Sequence, residues 1–339
     1  MSTPAANENP ETAATPRPLC VLALDGGGIR GVIPAMVLAE IERRCDGKPI
    51  AGLFDLIAGT STGGILTLGL TTPDPADQKR PRYEAKQLVE LYEDKGRVIF
   101  HRSILHWLLT VGGLLGSKFT VKGIDAVLRT YFGESRLKDA VTEVLITSYD
   151  LESRDAWFIA RYKAQQNPDF DFPMTHVARS TSAAPTYFRP ELLAKKPEAA
   201  MVDGGVFANN PAMCAYVEAI KLNGPKDILV ASLGTGQSKS AIPYWQARTW
   251  GLIGWARQLI DVFMDGVADT VEHQLTFLLP GTDDQPRYFR FQVALPPGLG
   301  AMDDASPEHI AALKEQGQKL IDSNGASLDK LCAILTSGV

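Results

Sequence analysis

Seven short apolar runs, at about 18–24, 53–58, 143–149, 156–162, 199–203, 227–233 and 287–293, punctuate the chain, most of them ending in Gly, Pro, Asp or Asn. Runs of this length, bounded by turn residues, predict strands buried on both faces. Between them the apolar positions recur with helical spacing, as in Val32 to Arg44 and Ala212 to Lys221. Alternation of the two patterns predicts an α/β protein with a mostly parallel sheet covered by helices. Near the end, Ser306 reads as a helix cap and Pro307 as the first helical residue. Ile310, Leu313, Leu320 and Ile321 follow as a docking stripe, with Gly317 on the same face, where it weakens the helix or lets a neighbour approach closely. No internal repeat is present.

Chemistry concentrates where predicted strands end. The run Leu53 to Ala58 is followed by Gly59-Thr60-Ser61-Thr62-Gly63 and then by the apolar helix from Gly64. A G-x-S-x-G turn between strand and helix holds its serine in a strained backbone and lifts the hydroxyl above the sheet, so Ser61 is the candidate nucleophile. Upstream, Asp25-Gly26-Gly27-Gly28-Ile29-Arg30-Gly31 lies between the first strand and a helix. Free backbone N–H groups at such a helix start can hold a developing negative charge. Gly26, Gly27 and Gly28 are assigned to an oxyanion hole, with Arg30 as a structural or electrostatic support.

The same letters spell G-x-G-x-x-G, the dinucleotide fingerprint. That reading wants an acidic residue at the end of the second strand, whereas Asp46 sits in a turn before it and Asp25 would repel a pyrophosphate. A third site is Met201-Val202-Asp203-Gly204-Gly205-Val206, ahead of Asn210 and Pro211, which read as the start of the next helix. An isolated Asp-Gly turn is ordinarily a surface feature. Three glycine-framed polar sites, each at a strand end, point instead to one edge of an open sheet.

In this order, the D-G-G-G-I-R-G loop, the G-T-S-T-G elbow and the D-G-G turn resemble the patatin family of lipid acyl hydrolases. Further stretches carry the likeness: Leu145 to Asp150, Ala178 to Phe188, Ser232 to Gly236 and Met302 to Pro307. The resemblance covers most of residues 18–335. It implies a three-layer α/β/α fold, a Ser-Asp dyad of Ser61 and Asp203, an oxyanion loop from Gly26 to Gly28, and no need for a metal or other cofactor. The expected substrates are phospholipids or related glycerolipids, cleaved as by a phospholipase A with release of fatty acids. Acyl transfer to an alcohol, gating by a cyclic nucleotide as in some effectors of the family, and a storage protein with incidental esterase activity remain the alternatives.

A carboxylate of ordinary pKa is a poor base for a serine, so the dyad implies a desolvated Asp203. The rival base is histidine. Of five, His273 and His309 follow the acid in the chain, as a Ser-Asp-His order requires. His309 falls in the first turn of a helix, where exposure is expected, and His273 inside a helix with no glycine turn to present it.

Composition narrows the picture further. The chain has 339 residues, 45% hydrophobic, enough for one large core, and a formal net charge of -5, which argues against a broad nucleic-acid surface. Residues 1–17 lack both a basic start and an apolar block, so they read as a disordered tail before a single domain over 18–339. Cys20, Cys45, Cys214 and Cys332 have neither metal nor redox spacing, which fits a reducing compartment and a cytoplasmic protein.

Two apolar stretches remain. Ile99 to Gly116 is too short and too charged to span a bilayer; it reads either as a lid or peripheral membrane contact, or as a buried helix. Tyr244, Trp245, Trp250 and Trp255 line an acyl pocket, touch a membrane, form a subunit contact or pack in the core. The pair Asp303-Asp304 reads as a solvated helix start, not a metal site.

Overall fold

The computed structural model describes residues 17–100, 117–194, 198–224, 226–238, 241–282 and 285–337. The segment from 101 to 116 and the expected tail up to residue 16 lie outside them. Arg17 lies inside, ion-paired with Asp55 at 2.8 Å and donating to the Leu53 carbonyl.

Every expected strand is present: β1 (Leu19–Leu24), β2 (Leu56–Gly59), β3 (Glu143–Asp150), β4 (Asp155–Ala160), β6 (Ala199–Asp203), β7 (Ile228–Leu233) and β8 (Tyr288–Phe291). The addition is β5 (Glu191–Leu193), an edge strand too short to carry a pattern. Strands β8, β7, β1, β2 and β3 lie side by side in that order and are all parallel. The remaining pairings, β4 and β6 on β3 and β5 on β6, are antiparallel. Only Leu151 to Arg154 separate β3 from β4, too few residues for a parallel crossover.

Alternate strand residues feed two cores. Leu22, Leu24, Ile57, Val144, Ile146 and Leu229 face the larger one, with helices α1 (Val32–Arg44), α2 (Thr62–Thr71), α3 (Ala85–Ile99), α4 (Val121–Phe132), α5 (Met174–Thr181), and, after those below, α8 (Pro307–Ser323) and α9 (Gly325–Thr336). Val21, Ala23, Leu56, Ala58, Leu145 and Val230 face the smaller one, covered by α6 (Ala212–Asn223) and the C-terminal part of α7 (Leu252–Leu278). Helices on both faces make the three-layer α/β/α architecture. Gly317 allows the close approach expected of it: a Cβ there would stand 2.9 Å from Met36 Sδ on α1.

The two edges of β3 fix the site. One edge pairs with β4 from Leu145 to Asp150. The other must therefore serve both β2, whose Gly59 pairs with Ile146, and β6, whose Asp203 pairs with Ser148. Since β2 is parallel and β6 antiparallel to β3, their carboxyl ends meet head to head along that edge.

Candidate active site

Ser61 occupies the turn from β2 into α2 with φ 55° and ψ -120°. Such a backbone costs a non-glycine residue about 1–3 kcal/mol and persists only where its surroundings over-determine it. Here the Ser61 N–H donates to Thr181 Oγ1 at 2.8 Å. Thr60, fully buried, donates to the Ala208 carbonyl at 2.6 Å and accepts from Thr147 Oγ1 at 2.7 Å. The flanking glycines are demanded by backbone contact: a Cβ on Gly59 would lie 2.3 Å from the Gly63 carbonyl oxygen, and one on Gly63 2.1 Å from that of Leu24.

Asp203 closes β6 beside this turn. Its carboxyl is 5% exposed, accepts from the Gly205 N–H at 2.7 Å and shares a cavity with Ser61. Burial pushes its pKa up from 3.8 to about 6, while hydrogen bonds from the Ser61 hydroxyl and the Gly205 N–H hold the rise in check. Gly204 is fixed by the same threonine that serves the elbow, since a Cβ there would come 2.2 Å from Thr147 Oγ1.

The glycine loop departs from expectation in one respect. The Gly26 N–H is spent on the Asn209 carbonyl at 3.0 Å, so Gly26 does not donate to an oxyanion; its role is to leave room, because a Cβ would meet Asn209 Oδ1 at 2.4 Å. Gly28, with φ 59°, would drive a Cβ to 2.1 Å from the Met302 carbonyl oxygen. Two successive peptides are gripped from behind. The Gly26 carbonyl accepts from Thr235 Oγ1 at 2.7 Å, and the Gly27 carbonyl from Arg30 N at 3.2 Å and Arg30 Nε at 3.4 Å. In a planar trans peptide the N–H points opposite to the C=O, so the Gly27 and Gly28 N–H groups turn away from these anchors. Both residues line the Ser61 cavity. Arg30 thus supports the loop from the far side and does not itself line that cavity.

Sequence reasoning missed the ion pair beneath the loop. Arg290 on β8 reaches across β7 to Asp25, with contacts of 3.1 and 2.7 Å, and donates to Ser232 Oγ at 2.8 Å on the way. Asp25 is buried and Arg290 nearly so; desolvation pushes the Asp25 pKa up and the Arg290 guanidinium opposes it. Arg290 carries no local signal, because only the strand order brings it to Asp25. Thr181, Thr147 and Thr235 were invisible for the same reason.

Two cavities flank the loop. The one at Ser61, about 200 Å³, is lined by apolar side chains such as Ile65, Leu91, Ile99, Phe100, Ile124 and Phe188. The other, about 470 Å³, carries Arg30, Asn209, Thr235, Gln237 and Ser238. Tyr187, Met264 and Met302 border both.

Neither histidine joins the site. His273 is exposed on α7, and His309, buried against expectation, directs Nε2 to the Ala301 carbonyl at 3.2 Å as a partner of the α8 start. Ser306 and Pro307 start α8 as expected, and Asn210 Oδ1 accepts from the Ala212 N–H at 3.0 Å at the start of α6. Asp303 is not solvated but half-buried against Lys118. Among the described residues no group of three or more His, Cys, Asp or Glu side chains could hold a metal ion, and no helix is long and apolar enough to cross a membrane.

Comparison with known proteins adds to this geometry. Residues 22–216 match the profile of the patatin-like phospholipase family. Patatin-like protein 2 of Oryza sativa subsp. indica is 32% identical over 369 residues, covering 96% of this chain and 90% of that protein. Patatin-like protein 1 of Arabidopsis thaliana is 31% identical, covering 89% and 81%. Probable inactive patatin-3-Kuras 1 of Solanum tuberosum is 32% identical, covering 89% and 86%. A strand-end serine beside a buried carboxyl, framed by these glycines, sits inside a matched region that spans more than half of the sequence, and the chain belongs to the patatin-like phospholipase family.

Proposed function

We propose that this protein is a serine lipid acyl hydrolase of phospholipase A type, acting on phospholipids or related glycerolipids through Ser61 and Asp203. One observation carries the reading: a strained serine at a helix start faces a desolvated carboxyl in the lining of an apolar cavity. The Asp203 carboxylate takes the Ser61 proton as Oγ attacks the ester carbonyl. Its pKa of about 6 suits a base working near neutral pH better than an ordinary aspartate. The Gly27 and Gly28 N–H groups receive the oxyanion. Collapse expels the alcohol, which takes the proton from Asp203 and leaves the acyl group on Ser61, its chain in the apolar cavity.

The four free thiols, three of them buried, suit a reducing, cytoplasmic setting for a single domain over 18–339. Contact with lipid is peripheral in this reading, through the exposed aromatics Tyr244 and Trp245. The test is mass spectrometry after reaction with a fluorophosphonate, together with lipid products from a mixed phospholipid panel. We expect the label on Ser61, fatty acid release, and loss of both by about 10³-fold or more in Ser61→Ala. A label elsewhere, or hydrolysis that survives Ser61→Ala, overturns the assignment.

A further inference from the structure

Asn209 is 8% exposed, and among the described residues its Oδ1 has no hydrogen-bond partner. A buried carboxamide oxygen left unanswered is costly, and unlike a hydroxyl, such as the equally unpartnered Ser182 Oγ, it cannot turn a proton toward some other neighbour. The neighbouring glycines define where it points. A Cβ on Gly26 would lie 2.4 Å from Asn209 Oδ1 and 3.3 Å from Ser61 Cβ. One on Gly205 would lie 3.1 Å from Asp203 Oδ1 and 3.6 Å from Asn209 Oδ1. The carboxamide oxygen therefore overlooks nucleophile and base across two positions that carry no side chain. Asn209 lines the polar cavity, whereas Ser61 and Asp203 line the apolar one.

We propose that Asn209 Oδ1 positions the water that hydrolyses the acyl-enzyme, and that this water arrives through the polar cavity. The inference rests on the Ser61–Asp203 reading above. Once Ser61 is acylated its oxygen no longer donates to Asp203, so the carboxylate is free to accept from water. Donating one O–H to Asp203 and the other to Asn209 Oδ1, the water is left with a lone pair aimed at the ester carbonyl. As the new C–O bond forms, the proton on the Asp203 side passes to that carboxylate. The oxyanion then collapses, the bond from the carbonyl carbon to Ser61 Oγ breaks, and Asp203 returns the proton to Oγ. One water is consumed and one fatty acid leaves.

Acylation does not use this water, so substitution separates the two half-reactions. Stopped-flow hydrolysis of a p-nitrophenyl ester by Asn209→Ala should show a nitrophenolate burst at the wild-type rate within about twofold. A steady state slower by about 10- to 100-fold should follow, with acyl-Ser61 accumulating in intact-protein mass spectra. Asn209→Asp keeps an acceptor in place and guards against a folding defect in the alanine variant. It should restore turnover at high pH and move the acid limb of the pH profile upward, because a second carboxylate faces Asp203. Burst and steady state that stay unchanged together or fall together in Asn209→Ala overturn the proposal, as does an Asn209→Asp variant no better than the alanine. Failure of the wild-type protein to take a fluorophosphonate at Ser61 overturns the earlier reading, and this one with it.

Discussion

At Asp203 burial raises the proton affinity of the carboxyl and carries a cost in stability. The unfolded chain releases this proton near 3.8 and the folded chain near about 6, so between those values the folded state holds more protons. Its contribution to stability is full below the lower value and is lost as pH rises through the upper one. Asp203→Asn keeps an acceptor for the Gly205 N–H and removes the buried charge, so it should stabilise the protein above pH 7 by up to about 3 kcal/mol while abolishing hydrolysis. Thermal melts at pH 8 and pH 4 check this: the gain should be present at the first and vanish at the second. In the parent protein, kcat/KM should fall about tenfold per pH unit below about 6 as the base is protonated. His273→Ala and His309→Ala should keep hydrolysis of a soluble ester within about fivefold, since neither ring borders the Ser61 cavity. Loss of activity in either variant with its fold intact would restore a triad.

Among the elements, β8 contributes to the site without touching it. Arg290→Met leaves Asp25 buried and unpaired, which should cost about 3–5 kcal/mol in denaturant unfolding. Adding Asp25→Asn to it should recover much of that loss, because the penalty comes from the stranded charge and not from the missing pair. Around α7 the surface is unusually apolar: Tyr244 is 80% exposed, Trp245 70% and Phe263 59%, while Trp250 and Trp255 pack edge to face at 5.4 Å. Phe263, on the same helix as Trp255, also borders the Ser61 cavity. Tyr244→Ala with Trp245→Ala should therefore weaken binding to phospholipid vesicles severalfold and leave hydrolysis of a soluble short-chain ester within about twofold. Equal losses on both substrates would remove the surface from any role at an interface.

Across the whole molecule, what could be read from the chain were features encoded locally. Strands buried on both faces announce themselves as apolar runs, and a serine that must sit at positive φ between touching backbones needs glycines on either side of it. Thus the strand-end positions of Ser61 and Asp203, and most of the sheet, were legible. Features set by the meeting of distant segments were not. The antiparallel insertion of β6 gives no periodic signal different from that of a parallel strand, and Gly26 reads as a donor until Asn209 is seen to take its N–H. The threonines 60, 147, 181 and 235 look like any other polar residues until their partners are known.

The head-to-head meeting of β2 and β6 makes β3 a measuring rod. Between Ile146, opposite Gly59, and Ser148, opposite Asp203, lie two residue steps, or about 7 Å of extended chain. A strand that contributes neither side chain therefore sets the gap between the proposed nucleophile and its proposed base. Inserting one residue there would widen the gap by about 3.3 Å and turn Thr147, the peg shared by both halves, to the opposite face. Hydrolysis should then disappear even where the glycines, the serine and the aspartate are all intact.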